Sequence, residues 1–363
     1  MNMVKKNRFI NSCIIVIFAA GFIFRGERTQ AFNDNTEVEQ AIKQIFVIKG
    51  NSMLGKDEEL LDSIYDRSKK FGQWAFEYEI KKMKYINNWS EKQGVIFKSI
   101  IPIVQVKRIR ARGEQYLVNA VCSTQYKYVY ANSKDVENIF RIGTYHIMDV
   151  KKVNGIWTIV KEWYTDPFAD SLNLENIKAD MIRQYILSQG PADSSKITER
   201  RVNAVAYADK YSGAANEEQY GFSYNKKYKN LNPKGGDCAN FASQILFEGA
   251  KFKKNKAWNY DLDGSRAWAN AQGFKDYWVG SGRASVIAHG DYNKVFKAAY
   301  KLLPGDFVAY EKGGRITHVS VVTGKDSKGY ALVNCHNTDR SRVPWDLGWN
   351  NKNISFWLVR VHF

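Results

Sequence analysis

The sequence predicts an α+β protein in two folded units behind a leader, on three observations. Apolar residues recur at helical spacing up to about residue 88, and the period changes to two from Gly94 onward. A polar, breaker-rich stretch lies between Asp166 and Arg201. Beyond it, one cysteine-bearing helix is followed by three strand-like segments. At 363 residues the chain is longer than one typical domain. The expected boundaries are a leader at 1–31, an accessory α+β unit at 32–166, a linker at 167–197 and a second unit at 198–363.

The leader decides the compartment. Lys5, Lys6 and Arg8 precede an apolar run from Phe9 to Phe24, and Ala31 follows, the three-part layout of a secretory signal. Cleavage after Thr29-Gln30-Ala31 fits that layout. The long apolar run, with Arg25, Glu27 and Arg28 directly behind it, also allows an uncleaved membrane anchor. Cys13 lies inside the run without the small residues expected before a lipidated cysteine. The net charge is +17, and because the first 31 residues hold five Lys/Arg against one Glu, +13 remains without them. An exported protein of that charge seeks anionic wall polymers or anionic lipid head groups, not nucleic acid. Without the leader, Cys122, Cys238 and Cys335 remain, an odd number from which no disulfide framework follows.

In the first unit, Val38, Ile42, Ile45 and Phe46 form one helical stripe. A second helix is expected from Leu60 to Ile86, with Ile64, Phe71, Trp74, Ala75 and Tyr78 facing the core. Strand-like runs follow at 95–97, 100–104, 116–118, 126–130, 139–150 and 157–163, the last two flanking the hairpin signal Asn154-Gly155. Helices followed by a meander imply helices packed on one face of a curved sheet. In element order this resembles the nuclear-transport-factor-like cone. His146 reads as a structural histidine and Cys122 as sheet core, so no catalytic set is expected here.

The second unit is organised around Gly235-Gly236-Asp237-Cys238-Ala239-Asn240-Phe241-Ala242-Ser243-Gln244. Asp237 suits an N-cap, and Cys238, Phe241, Ala242 and Ile245 share a helix face. A thiol in a first helical turn gains thiolate character from the dipole. The bland reading is a small apolar core residue. Nucleophilic cysteine chemistry needs a base within reach and a group that orients the base, and His318 and His336 are the candidates. If Asp326-Ser327-Lys328-Gly329 turns with a bulge at Gly329, Asp326 pairs with Tyr330. His318 then shares a face with Asn334, His336 and Thr338 while Cys335 points away. A two- or four-residue loop would reverse that parity.

From Gly236 to Gln244 the sequence resembles the Asp-Cys-Thr-Asn-Phe-Val-Ser-Gln signature of the bacterial putative amidase domain family, a branch of the papain-like, NlpC-type cysteine peptidases. Trp258-Asn259-Tyr260, Ser265 to Asn270, Phe274 and Tyr277 resemble its middle block. Pro304-Gly305-Asp306, Thr317-His318-Val319 and His336 follow its order, so the likeness runs from Arg201 to Phe363. Ala239 and Ala242 stand where the family has Thr and Val, and the loop from Tyr228 to Cys238 is longer. The resemblance implies a papain-like catalytic domain without a cofactor. In it Cys238 attacks a carbonyl carbon, His318 takes and returns the proton, and His336 orients His318, with Asn334 or Asp339 as alternatives. The Cys238 N–H would hold the oxyanion, a contribution on the order of 3 kcal/mol. Tyr228 and Asn240 are the further candidates for oxyanion or substrate contacts, the longer loop putting Tyr228 in question and Asn240 also reading as a local hydrogen-bonder.

The expected function is therefore an exported cysteine amidase or peptidase acting on peptidoglycan or its peptides. The alternatives are a surface binding or adhesion protein that has kept the fold and lost turnover, and an acyl-transferase using the same nucleophile. A zinc site from Cys238, Cys335, His318 and His336 lacks close-spaced ligand pairs. Trp345 and Trp349 read as core or rim, and Lys251 to Lys256 as a solvated loop.

Overall fold

The computed structural model describes residues 34–168, 179–193, 195, 197–349 and 353–363. The leader expected at 1–31 lies outside them, as does part of the linker expected at 167–197.

The first helix, α1 (34–55), buries Val38, Ile42, Ile45 and Phe46 as their spacing requires. The second expected helix is two. Asp57 accepts from the Leu60 N–H at 2.8 Å and caps α2 (Glu58–Asp62); α3 (Lys70–Gln93) then runs to Gly94, whose φ of 70° ends it. The core face of α3 is Phe76, Ile80, Met83, Ile86 and Trp89, whereas Phe71 and Trp74 are each 52% exposed. The segment between the helices explains the change of face. Asp66 pairs with Ile159, and a Cβ on Gly72 would lie 2.2 Å from the Asp66 carbonyl oxygen, so the start of α3 is turned with Gly72 inward and its neighbour Phe71 outward.

Strands β1 (Val95–Arg112), β2 (Gln115–Tyr130), β3 (Ser133–Val153) and β4 (Ile156–Tyr164) form an antiparallel meander. The β3–β4 turn has Asn154 and Gly155 at φ of 50° and 82°, the left-handed pair that an Asn-Gly hairpin supplies. The runs at 95–97 and 100–104 belong to one strand interrupted by a bulge.

After α4 (Ala179–Ser188) come α5 (Glu199–Lys210) and α6 (Cys238–Gln244), which continues into a π turn at Ile245–Gly249. Then follow α7 (Arg266–Ala269), α8 (Ala271–Gly280), β5 (Ala284–Gly290), α9 (Tyr292–Ala299), β6 (Phe307–Lys312), β7 (Arg315–Lys325), β8 (Ala331–Cys335), β9 (Arg340–Pro344) and β10 (Ile354–Val361). All strands join one antiparallel sheet in the order β1-β2-β3-β9-β8-β7-β6-β10-β5, with β4 also on β3. The halves meet where Arg141 pairs with Ser341 and Ile142 with Arg340.

Two cores result. One runs from α1 and α3 through the meander to Tyr310, Val322, Trp345, Trp349 and Phe356. The other, on the opposite face of β6, β7 and β10, holds Cys238, Phe241, Trp258, Trp268, Phe274, Val319 and Val321. Polar groups tie the halves. Asp346 accepts from Lys92 Nζ at 2.9 Å, Tyr330 Oη at 2.8 Å and Trp89 Nε1 at 3.2 Å, and Asp326 accepts from Tyr128 Oη at 2.9 Å and from Tyr130 Oη. The architecture is α+β around one large antiparallel sheet.

Candidate active site

Gly235 and Gly236 lead into α6 at φ of 110° and 138°, and a Cβ on Gly236 would stand 3.0 Å from Asn337 Nδ2. Both glycines meet a backbone demand there. Asp237 does not cap the helix with its side chain, contrary to its expected role. Its Oδ1 accepts from the Leu231 N–H and from Asn240 Nδ2, each at 2.8 Å, and its Oδ2 faces His336 Nδ1 at 2.6 Å. Asp237 is a hub joining the loop before α6, the helix and the strand-end histidine.

Cys238 is 6% exposed. The N–H groups of Val319, Ala239 and Cys238 itself point at its sulfur and favour thiolate, but burial outweighs them and pushes the thiol up to about 11. The resting group is therefore a thiol, not the dipole-activated thiolate that its place in the helix suggests.

The hairpin explains where the histidines go. The turn forms as expected: the Asp326 N–H donates to the Tyr330 carbonyl at 3.0 Å, and Gly329 has φ of 75°. A second bulge, between Val322 and Gly324, then shifts the ladder by one, so that Val321 pairs with Asn334. Every side chain beyond it changes partner face. His318 consequently shares its face with Cys335 and not with His336, which reverses the expected parity.

His318 lies beside Tyr310, its ring stacked on Trp349 at 4.9 Å between centroids, in the core opposite the one that holds Cys238 and Val319. Burial, with the Arg340 guanidinium adding to it, pushes this imidazole down to about 3. Its Nε2 is buried without a partner. Arg340 is itself buried and donates to the carbonyls of Pro167, at 2.6 Å, and Leu347. Cys335 sits beside Ser320 and Arg340, and burial pushes its thiol up to about 12.

His336 does not orient His318. Its ring is sandwiched between Tyr224 and Phe241, with centroids at 3.8 and 3.7 Å, and its Nε2 lies 2.7 Å from the Tyr211 carbonyl oxygen. Both ring nitrogens are thus engaged, one by a carboxylate and one by a carbonyl, and neither is directed at His318. Neither alternative orienter serves His318. The Asn334 Oδ1 accepts from Thr323 Oγ1 at 2.6 Å and the Arg342 N–H at 2.7 Å, and Asp339 accepts from the Ala214 N–H, Tyr224 Oη and Tyr145 Oη at 2.7, 2.6 and 3.1 Å. The other two candidates are also engaged. Tyr228 donates its hydroxyl to Glu248 at 2.6 Å, and Asn240 bonds Asp237, the Lys229 carbonyl and Trp268 Nε1. Asn240 is thus a structural hydrogen-bonder.

In the first half, His146 has one partner that its sequence neighbourhood does not reveal, Glu162, whose Oε1 lies 2.8 Å from Nδ1, and one two positions away, Thr144, whose Oγ1 lies 2.7 Å from Nε2. Lys49 neutralises Glu162.

The segment that carries these groups has relatives. Residues 198–359 match the putative amidase domain family. That match covers less than half of the chain and supports, for this segment, a hydrolase acting on amides. The uncharacterized protein YhbB of Bacillus subtilis (strain 168) is 28% identical over 159 residues, which are 40% of this chain. The chain spans 43% of the length of that relative. Among solved structures, the intermembrane space region of the chloroplast protein ARC6 is similar at a TM-score of 0.26 and 12% identity, covering 36% of this chain and 94% of that one. A function-unknown protein from Mycobacterium tuberculosis is similar at a TM-score of 0.25 and 10% identity, covering 43% of this chain and 90% of that one.

Proposed function

We propose that the second half is a cysteine-dependent amide hydrolase of the papain-like, NlpC type, exported and acting on peptidoglycan or its peptides. One observation carries the reading within the family match. The Cys238 sulfur rests on the backbone N–H of Val319, the residue next to His318. On this reading Cys238 is the nucleophile and His318 the base, on opposite faces of one strand, with thiol and imidazole both neutral at rest. In the reaction Cys238 Sγ forms a bond to the amide carbon, its proton passes to the His318 imidazole, and the amine leaves with that proton. Water then attacks the acyl-thioester and regenerates the thiol. The Cys238 N–H, which faces the sulfur, is the donor on hand for the oxyanion. No hydrogen bond joins the two, and because His318 faces the opposite core, proton transfer requires the strand segment that carries His318 to move relative to α6 and not a rotation of the ring alone. Residues 32–166, described from 34 on as two long helices against an antiparallel meander, are read as a nuclear-transport-factor-like accessory unit.

The test treats isolated cell walls with the purified protein and with Cys238→Ala. New amine termini released only by the former support the reading; equal release by both would end it. A second reading, a binding protein that has kept the fold, is favoured by the closed thiol and the separated histidines. It predicts wall binding unchanged by Cys238→Ala and no amine release. Supplying a second amine to the wall reaction separates hydrolysis from acyl transfer.

A further inference from the structure

The outward face of the β1–β4 meander carries a row of cations that no part of the amidase reading uses. Arg108, Arg110 and Arg112 alternate along β1, so their side chains lie on one face about 7 Å apart. All three are exposed; Arg112 approaches Asp149 at 3.9 Å, and no ion pair engages Arg108 or Arg110 among the described residues. The register continues the face. Arg108 stands opposite Asn119, which pairs with Ile147 and then Trp163; Arg110 stands opposite Leu117, which pairs with Asp149 and then Lys161. Trp163 is 59% exposed and Ile147 44%. Next to β4, the half-exposed Phe71 and Trp74 line a groove of about 460 Å³ with Lys161 and Trp163. Lys161 lies 5.0 Å over the Phe71 ring and Lys70 4.5 Å over Trp74. The carboxylates at the patch are Asp149, Glu114 in the β1–β2 turn, Glu77 on α3 and, lining the groove, Glu162, which is paired with Lys49.

We propose that this face docks on an anionic lipid bilayer. Guanidinium forks match phosphate oxygens, and half-exposed tryptophan, phenylalanine and isoleucine find a partner in the boundary between headgroups and acyl chains. A polyphosphate strand would satisfy the arginines but offer nothing to Ile147. The place where the described chain begins points the same way. Asp34 opens α1 less than a turn before Glu37, which bonds Lys152 and Trp157 at the β3–β4 turn, beside Lys151, whose strand partner Gln115 stands opposite Arg112. The residues preceding it include the apolar run from Phe9 to Phe24. No helix of the described residues is long and apolar enough to cross a membrane. The inference is independent of the thiol chemistry.

The experiment mixes the full chain with vesicles of phosphatidylcholine alone, or with an equal part of phosphatidylglycerol, and reads sedimentation and hydrogen exchange. Anionic vesicles should protect 106–119 and 145–151, and Arg108→Gln/Arg110→Gln/Arg112→Gln should weaken partitioning roughly a hundredfold, about fivefold for each cation. Trp163→Ser should weaken it further, with circular dichroism unchanged in both variants. Equal binding by the triple variant, no protection of those segments, or arginine-dependent binding to soluble polyphosphate but not to vesicles would each overturn the proposal. Amine release from a soluble peptide should not change in these variants, so failure here is separable from failure of the hydrolase reading.

Discussion

Replacing His318 by glutamine should change how stability depends on pH. In the folded chain this imidazole is pushed down to about 3 from its ordinary value of 6.5, first by burial and then by Arg340. Between those values the unfolded chain holds a proton on the ring that the folded chain does not, so stability falls as pH drops through the window. The full penalty is on the order of 5 kcal/mol, reached near pH 3, with a slope of about 1.4 kcal/mol per pH unit. Urea unfolding of wild type and His318→Gln at intervals from pH 7.5 to 4 isolates this group, because other titrating groups contribute to both proteins. The wild type should lose about 2 to 3 kcal/mol more than the variant on going to pH 4.5. Parallel curves would refute the burial of a neutral imidazole. A wild type that gains relative stability in acid would mean that the ring is paired with an anion, as in a preformed thiolate–imidazolium dyad.

Cys238 should alkylate slowly at neutral pH, with a rate that climbs about tenfold per pH unit toward a midpoint near 11, as timed iodoacetamide labelling and mass spectrometry can show; a plateau by pH 7 would contradict the closed thiol. Lys92→Met removes the ammonium partner of the buried Asp346 carboxylate and should cost about 3 to 5 kcal/mol in a single unfolding transition spanning both halves. Separate transitions for the two halves, seen by calorimetry, would contradict the shared core. His336→Phe preserves a ring between Tyr224 and Phe241 but leaves Asp237 Oδ2 and the Tyr211 carbonyl without their imidazole partner, and should cost roughly 2 to 4 kcal/mol in urea unfolding. A change below about 0.5 kcal/mol, the ordinary surface range, would mean that the hub does not hold the loop.

What was legible in the sequence was local. The stripe of α1, the Asn154-Gly155 turn and the three-residue loop from Asp326 to Tyr330 all follow from residue types a few positions apart. The motif also located Cys238 at a helix start. The parity of the hairpin was lost at Thr323, although Gly324 inside a strand was a local hint of a bulge. One extra residue there was enough to replace His336 by Cys335 as the facial neighbour of His318. Asp237 misled because an aspartate before a helix ordinarily caps it, while its real partner His336 lies 99 positions on. Arg340 and Trp349, which set the environment of His318, carry no motif and act only through tertiary packing. Phe71 and Trp74 fit a helical stripe in number but not in phase, since the break at 63–69 resets the face of α3.

The β3–β9 pairing has a practical consequence. The Gly143 N–H donates to the Asp339 carbonyl at 2.8 Å, directly before the ladder from Arg141 and Ile142 to Ser341 and Arg340. The turn that follows His336 is therefore built partly from backbone of the first half. A chain cut between Phe168 and Ala179 would stay together through that ladder and the Asp346 cluster. Two fragments produced separately should find each other and restore the site only as a pair, which makes this molecule a candidate for a split reporter of its own assembly.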